Sequence, residues 1–183
     1  MKLWTNVLGY QMVWFCAVIG AGLGLAWPGV AAATAFVAWQ LAMSPQRLVE
    51  ARLLVLALAL GAIVDGMLAW RGWASYAAPW PSTSFSPIWI LALWAAFSQT
   101  VTQSLGILQR NLMLALVFGA IGGPLAYLGA SRGFGAVTLS TPDWPSLAWL
   151  AFGWGIAMVL LSQAARRWNT ASQHEAVPVE VSR

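Results

Sequence analysis

Long apolar runs separated by short polar segments make up most of the chain. A helix needs about 20 mainly apolar residues to cross the hydrocarbon layer of a bilayer. Pro87 and Pro145 each stand at the start of such a run, which is typical of the first turn of a helix. The pattern predicts six spans, of which the second is short: Trp4–Ala26, Gly29–Met43, Leu48–Trp70, Pro87–Leu108, Asn111–Ser131 and Pro145–Ala165.

Related segments recur in successive pairs of these spans. Trp89 and Trp94 in the fourth span have the same spacing as Trp149 and Trp154 in the sixth. Chance recurrence of residues that are common in membrane helices is an alternative explanation. We predict an all-α, polytopic helical membrane protein with about six transmembrane helices arranged as three helical hairpins.

Composition supports a membrane protein with a single domain. Of the 183 residues, 60% are hydrophobic and 8% are charged, whereas a soluble domain carries about 25% charged residues. Six spans leave no room for a separate globular domain. We predict one transmembrane helical-bundle domain over residues 1–167 and a polar, disordered cytoplasmic tail over residues 168–183.

The basic residues predict the orientation, because Lys and Arg are enriched on the cytoplasmic side of membrane proteins. One side of the predicted bundle has only Arg71 and Arg132 near the helix ends. The opposite side collects Lys2, Arg47, Arg52, Arg110, Arg166 and Arg167. We therefore expect a multi-pass membrane protein with both termini cytoplasmic. Six tryptophans are expected at the outer interface: Trp27, Trp70, Trp73, Trp80, Trp89 and Trp144.

Few residues offer chemistry of other kinds. Cys16 is the only cysteine, which excludes an intrachain disulfide and a CxxC motif. His174 is the only histidine and follows the last apolar run, which excludes a histidine-ligated haem and a Ser-His nucleophile within the membrane. The basic residues are scattered singly instead of forming a patch for nucleic acid. We expect no metal, no cofactor and no nucleic-acid partner.

Asp65 is the one carboxylate well inside a predicted span. An ionisable group at that depth is costly unless it is paired or protonated. Arg132 and Tyr127 of the fifth span are the best partners at similar depth. Two interpretations follow: an Asp–Arg clamp between hairpins, which is the simpler one, or a site for a substrate or proton.

A second polar cluster is expected near the cytoplasmic end. The run SQTVTQS makes the inner half of the fourth span polar almost all round, and lipid does not tolerate such a surface. Its amides Gln99 and Gln103 share one helical face, and Asn6, Gln11 and Gln40 lie at matching depth. These five residues are predicted either to line a polar cavity open to the cytoplasm or to form an interhelical amide network.

Several motifs resemble an uncharacterised family of small bacterial inner-membrane proteins. They are NVLGYQMVWF, MSPQRLVEARLL, VDGML, PIWILALWAAFSQTVTQSL and GGPLAYLGASRGFGAV. The family is a domain of unknown function, and some members are labelled starvation-inducible transmembrane protein. The resemblance carries no established catalytic residues. It implies a link to membrane-lipid modification, because members are encoded near fatty-acid-modifying methyltransferases and flavin-dependent oxidoreductases.

Three classes of function fit these observations. The first is a non-enzymatic envelope or accessory component, which needs only helix packing and contact with the lipid bilayer. The second is a small-molecule or lipid transporter, with Asp65 as a coupling group. The third is a subunit of a lipid-modifying enzyme system that works with other membrane or lipid-modifying proteins. An enzyme acting alone is disfavoured, because the sequence lacks paired intramembrane carboxylates and a metal-ligand set.

Overall fold

The computed structural model describes residues 2–175, and the side chains of residues 3–170 within them. Six α-helices and one pair of short strands make up this part of the chain. They are α1 (Lys2–Gly22), α2 (Trp27–Met43), α3 (Arg47–Trp70), β1 (Ala74–Tyr76), α4 (Ile88–Val101), α5 (Leu112–Phe134), β2 (Val137–Leu139) and α6 (Trp144–Glu175). A 3₁₀ turn at Gly106–Gln109 links α4 to α5. The all-α prediction is confirmed.

Four helices are long and apolar enough to cross a membrane by length and composition: α1, α3, α5 and α6. Helix α4 has only 14 residues, a rise of about 21 Å at 1.5 Å per residue. The chain is thus compatible with a membrane protein, while six spans and their arrangement as three membrane hairpins remain predictions.

Helix α4 ends well before the predicted boundary at Leu108. The hydroxyls of Ser98 and Thr100 bond the carbonyls of Ala95 and Phe97, three residues back in the same helix. Such local bonds, followed by a turn over residues 102–105, compete with helix continuation. The polar end of the fourth predicted span is therefore a turn and a 3₁₀ segment.

The two loops that join α3 to α4 and α5 to α6 pair with each other. Strands β1 and β2 run antiparallel, with Ser75 opposite Thr138 and Tyr76 opposite Val137. Ser146 at the start of α6 donates to the carbonyl of Trp73 at 2.7 Å. We call this side of the bundle the strand end and the opposite side, where α1 begins, the terminal end. The sequence pattern indicated only loops here.

Close helix packing rests on glycines beneath tryptophans. Helices α5 and α6 pack along most of their length, and α1 packs on α2 and α3 on α4. A Cβ atom at Gly123 would lie 2.5 Å from Cγ of Trp154, so the ring of Trp154 covers α5 at this glycine. Trp94 covers Gly61 of α3 in the same way. The two tryptophans stack with ring centroids 4.1 Å apart.

Two sequence expectations need correction. Trp89, expected at the outer interface, is 1% exposed and packs edge-on against Tyr76. Helix α6 continues to Glu175, so residues 168–175, which were predicted as part of the tail, are helical. No proline occurs between Pro145 and Pro178, and Thr170 donates to the carbonyl of Arg166 within the helix. The disorder predicted for residues 176–183 lies outside the described residues.

Gly123→Ala should lower the free energy of unfolding by about 1–3 kcal/mol, because the added methyl group overlaps the ring of Trp154. Gly133→Ala is the matched control: it is in the same helix, and an added Cβ meets nothing within 4 Å. Both changes replace a helical glycine with alanine, which favours the helix. Denaturant titration in mixed micelles measures the difference, and equal stability of the two variants would contradict this packing.

Candidate functional site

The carboxylate of Asp65 is the centre of a buried polar cluster at the strand end of the bundle. Asp65 is 0% exposed. The hydroxyl of Tyr76 donates to its Oδ1 at 2.9 Å, and the indole N–H of Trp94 donates to its Oδ2 at 2.7 Å. The hydroxyl of Tyr127 also donates to Oδ1. We call these four residues the Asp65 cluster.

Four chain segments deliver these side chains. Asp65 belongs to α3, Tyr76 to β1, Trp94 to α4 and Tyr127 to α5. Gly61, one turn before Asp65, leaves room for the ring of Trp94, and its carbonyl accepts from Ser86 at 3.1 Å. The sheet pairing of β1 turns Tyr76 back toward the bundle. Its position depends on both loops.

The carboxylate faces three hydrogen-bond donors and no acceptor. This arrangement suits its ionised form, which can only accept hydrogen bonds. Burial, followed by the negative charge of Asp65, raises the pKa of Tyr76 well above its usual range. Tyr76 therefore keeps its proton at physiological pH and remains a donor. The cluster satisfies the carboxylate internally, which is the chemistry of a structural clamp.

Of the two residues predicted to partner Asp65, the structure brings Tyr127 to the carboxylate and leaves Arg132 on the surface. Arg132 is an exposed residue in the last turn of α5 and makes no ion pair with Asp65. As a cation in the last turn, Arg132 suits the negative end of the helix dipole, and its exposure allows contact with water. Tyr76 and Trp94 supply hydrogen bonds to Asp65 where Arg132 was predicted to pair with it.

A crevice opens on the surface of the bundle between α1 and α5, which we call the lateral crevice. It has a volume of about 360 Å³. Helix α1 contacts α5 over only a short stretch, whereas it packs along α2 and α4. Its walls are mostly aromatic: Tyr10, Trp14, Phe97, Phe118 and Trp154. Glycines of α5 also line it: Gly119, Gly122 and Gly123.

A smaller cavity of about 50 Å³, which we call the inner cavity, lies beside the Asp65 cluster and adjoins the lateral crevice through common lining residues. Four residues line both cavities: Tyr10, Trp14, Ala126 and Trp154. Trp89 also lines the inner cavity. The indole N–H groups of Trp89 and Trp154 are buried and have no acceptor among the described residues. A buried donor without a partner costs about 1–3 kcal/mol, so an oxygen atom within hydrogen-bond reach of either group would be stabilising.

The predicted polar cluster forms at the terminal end, but it does so in two parts. In the first, Asn6 donates to the backbone carbonyl of Gln99 at 3.2 Å and accepts from Ser104 at 2.7 Å. This part is an interhelical network. Gln11 belongs to neither part, because it is exposed and lies at the lateral crevice.

The second part surrounds Glu50 of α3. Gln103 donates to Oε1 of Glu50 at 3.1 Å and Thr102 donates to the same oxygen at 3.2 Å. Gln40 lines the same pocket of about 320 Å³, which we call the Glu50 pocket. In the described part of the chain, no group of three His, Cys, Asp or Glu side chains is placed to hold a metal.

A family model described as "Protein of unknown function (DUF2878)" matches residues 3–160. The chain belongs to this family. The match covers all of the Asp65 cluster, the lateral crevice and the Glu50 pocket, so each of these features lies in the family's domain. No curated protein and no solved structure matches the chain.

The sequence patterns did not identify three components of these DUF2878 sites: Tyr76, Glu50, and Trp94, which stood out only for its repeated spacing. Tyr76 was overlooked because it lies in a loop whose strand pairing has no period-two signal. Glu50 lies in the first turn of α3, where an acidic residue is common and does not by itself indicate a site. Its position one helical turn beyond Gln46 and its 1% exposure place it inside the bundle. The polar run of the fourth span could have indicated Glu50, because buried polar side chains need a hydrogen-bond partner inside the bundle.

Asp65→Asn should lower the free energy of unfolding by about 2–3 kcal/mol, because the amide leaves at least one buried donor of the cluster without an acceptor. Arg132→Gln should change it by no more than about 0.5 kcal/mol, because the arginine is exposed. Denaturant titrations of both variants in the same micelles check this. A large loss in Arg132→Gln would restore the arginine clamp.

Proposed function

We propose that this protein is a non-enzymatic, multi-pass component of the bacterial inner membrane that binds a membrane lipid, with a hydrocarbon chain held in the lateral crevice. The observation that carries the proposal is the aromatic lining of a crevice that opens between two helices able to cross a membrane. Its volume of about 360 Å³ falls in the usual range of small-molecule sites, about 300–1,000 Å³.

The surroundings of the crevice favour lipid over a soluble ligand. Met12 of α1 and Ile121 and Leu125 of α5 are 64%, 56% and 60% exposed. Apolar side chains exposed on spanning helices contact hydrocarbon. A ligand entering between α1 and α5 would therefore come from the acyl region of the bilayer.

The inner cavity supports a ligand that also carries oxygen. The unpartnered indole N–H groups of Trp89 and Trp154 can each donate one hydrogen bond. An ester or carbonyl oxygen at the end of the hydrocarbon chain would satisfy them, and ordered water is the alternative acceptor. Both oxygens of Asp65 already accept hydrogen bonds within the cluster. The Asp65 cluster would then form a rigid wall of the site and take no part in transport.

The proposed lipid binding agrees with the link to membrane-lipid modification that the family resemblance implies. A protein that holds a lipid chain laterally could present it to soluble lipid-modifying enzymes, which is the accessory role that the resemblance implies. Arg47, Arg110 and Arg166 at the terminal end support cytoplasmic termini and hence docking from the cytoplasm. Lipid transport and a response to starvation are further proposals that the same lipid site would allow.

Gly122→Leu should block the lateral crevice without disturbing the fold. A Cβ atom at Gly122 meets nothing within 4 Å, and the residue lines the crevice. In nanodiscs containing a phospholipid with a diazirine in its acyl chain, we expect crosslinking to crevice peptides to fall about tenfold, the equivalent of about 1.4 kcal/mol. Peptide mapping by mass spectrometry measures the yield.

Gly133→Leu is the control for this experiment. It makes the same exchange in the same helix, where an added Cβ also meets open space, but it lies outside the crevice. Its crosslinking should equal that of the wild type. Unchanged crevice labelling in Gly122→Leu, or wild-type labelling spread evenly over the lipid-facing surface, would refute the proposed site.

A further inference from the structure

The Glu50 pocket is a second cavity, at the opposite end of the bundle from the Asp65 cluster. It has a volume of about 320 Å³ and shares no lining residue with the lateral crevice. Its walls are formed by Thr5 of α1, the start of α3, the end of α2 and the turns that follow α2 and α4. The residues used below are Trp39, Gln40, Glu50, Thr102 and Gln103. The inference from this pocket does not rest on the lipid-binding role proposed above.

Glu50 has an unused acceptor. Its side chain is 1% exposed, and its Oε1 accepts from Thr102 and Gln103. Its Oε2 is buried and has no hydrogen-bond partner within residues 3–170. No described Lys, Arg or His side chain pairs with it; the nearby Arg47 instead donates to the carbonyl of Ala42 at 2.8 Å. A buried carboxylate without a cationic partner costs several kcal/mol.

The same pocket has an unused donor. The amide nitrogen of Gln40 is buried and lacks an acceptor among the described side chains and backbone. Gln40 is 8% exposed and lines the pocket together with Glu50. A single ligand that donates to Glu50 and accepts from Gln40 would satisfy both groups. The charge of the carboxylate selects a cationic donor, and the ring of Trp39 adds an aromatic wall that favours cations.

We propose that the Glu50 pocket binds a primary ammonium group that has an oxygen acceptor close to it. The ammonium N–H groups face Oε2 of Glu50, and the oxygen accepts from the amide of Gln40. A trimethylated nitrogen has no N–H to donate and is excluded from this bond. The headgroup of phosphatidylethanolamine and a free phosphoethanolamine-like amine carry the same chemistry, and the experiment separates these two sources.

The test has a lipid arm and a soluble arm, both on the full chain. In the lipid arm, native mass spectrometry compares retention of phosphatidylethanolamine with that of phosphatidylcholine. In the soluble arm, calorimetry compares phosphoethanolamine with phosphocholine in detergent. We expect the primary amine to bind at least tenfold tighter than its trimethyl counterpart in one arm or both. Binding in the lipid arm alone assigns a headgroup site, and binding in the soluble arm alone assigns a free amine.

Glu50→Gln should reduce binding of the primary amine at least tenfold, because it removes the charge but keeps an oxygen for Thr102 and Gln103. Gln40→Met should reduce it severalfold and serves as the second variant if Glu50→Gln does not fold. Asp143→Asn is the matched control, since Asp143 is an exposed carboxylate at the strand end. Its binding should equal that of the wild type.

Three results would overturn the proposal. They are equal binding of the primary and trimethylated amines, wild-type affinity in both Glu50→Gln and Gln40→Met, and no binding in either arm. The lipid-crevice proposal is tested separately, because Gly122→Leu changes no residue of the Glu50 pocket. A negative result for the crevice would not contradict the ammonium-site proposal, and a negative result for the ammonium site would not contradict the lipid-crevice proposal.

Discussion

The buried carboxylate of Asp65 is the interaction on which the rest of the structure depends. It accepts from β1, α4 and α5 while it belongs to α3. Because an unsatisfied buried carboxylate costs several kcal/mol, Tyr76, Trp94 and Tyr127 cannot be positioned independently. The orientation of Trp94 also sets its stacking on Trp154, so the same carboxylate indirectly positions α6.

Packing around this centre follows the rules for helices in lipid. Apolar side chains gain little by leaving hydrocarbon for a protein interior, so close backbone approach and polar bonds must hold the helices together. Gly61 and Gly123 allow that approach by accepting the rings of Trp94 and Trp154. Helix α1 has few such contacts with α5, and this difference leaves the lateral crevice between them.

The two buried acids of the bundle differ in how fully they are satisfied. Asp65 has three donors for its two oxygens, whereas Glu50 has two donors on one oxygen and none on the other within the described residues. A satisfied carboxylate stabilises the fold and has little left to bind. An incompletely satisfied one remains available to a ligand. The candidate for ligand chemistry is therefore not the acid that lies deepest in a predicted span.

Periodicity, composition and breakers were enough to predict six helices and an all-α fold, because apolar runs of this length have few other solutions. The family followed from the resemblance of short sequence motifs and not from these patterns. They also predicted Asp65 with Tyr127, and the network of Asn6 with Gln99. They did not predict Tyr76, Trp94 or Glu50 as site residues, nor the exclusion of Arg132 and Gln11. Those outcomes depend on the β1–β2 pairing and on the early end of α4, which are decided by contacts between distant segments. One-dimensional patterns report which face of a helix is polar, but only the packed bundle decides which polar groups meet.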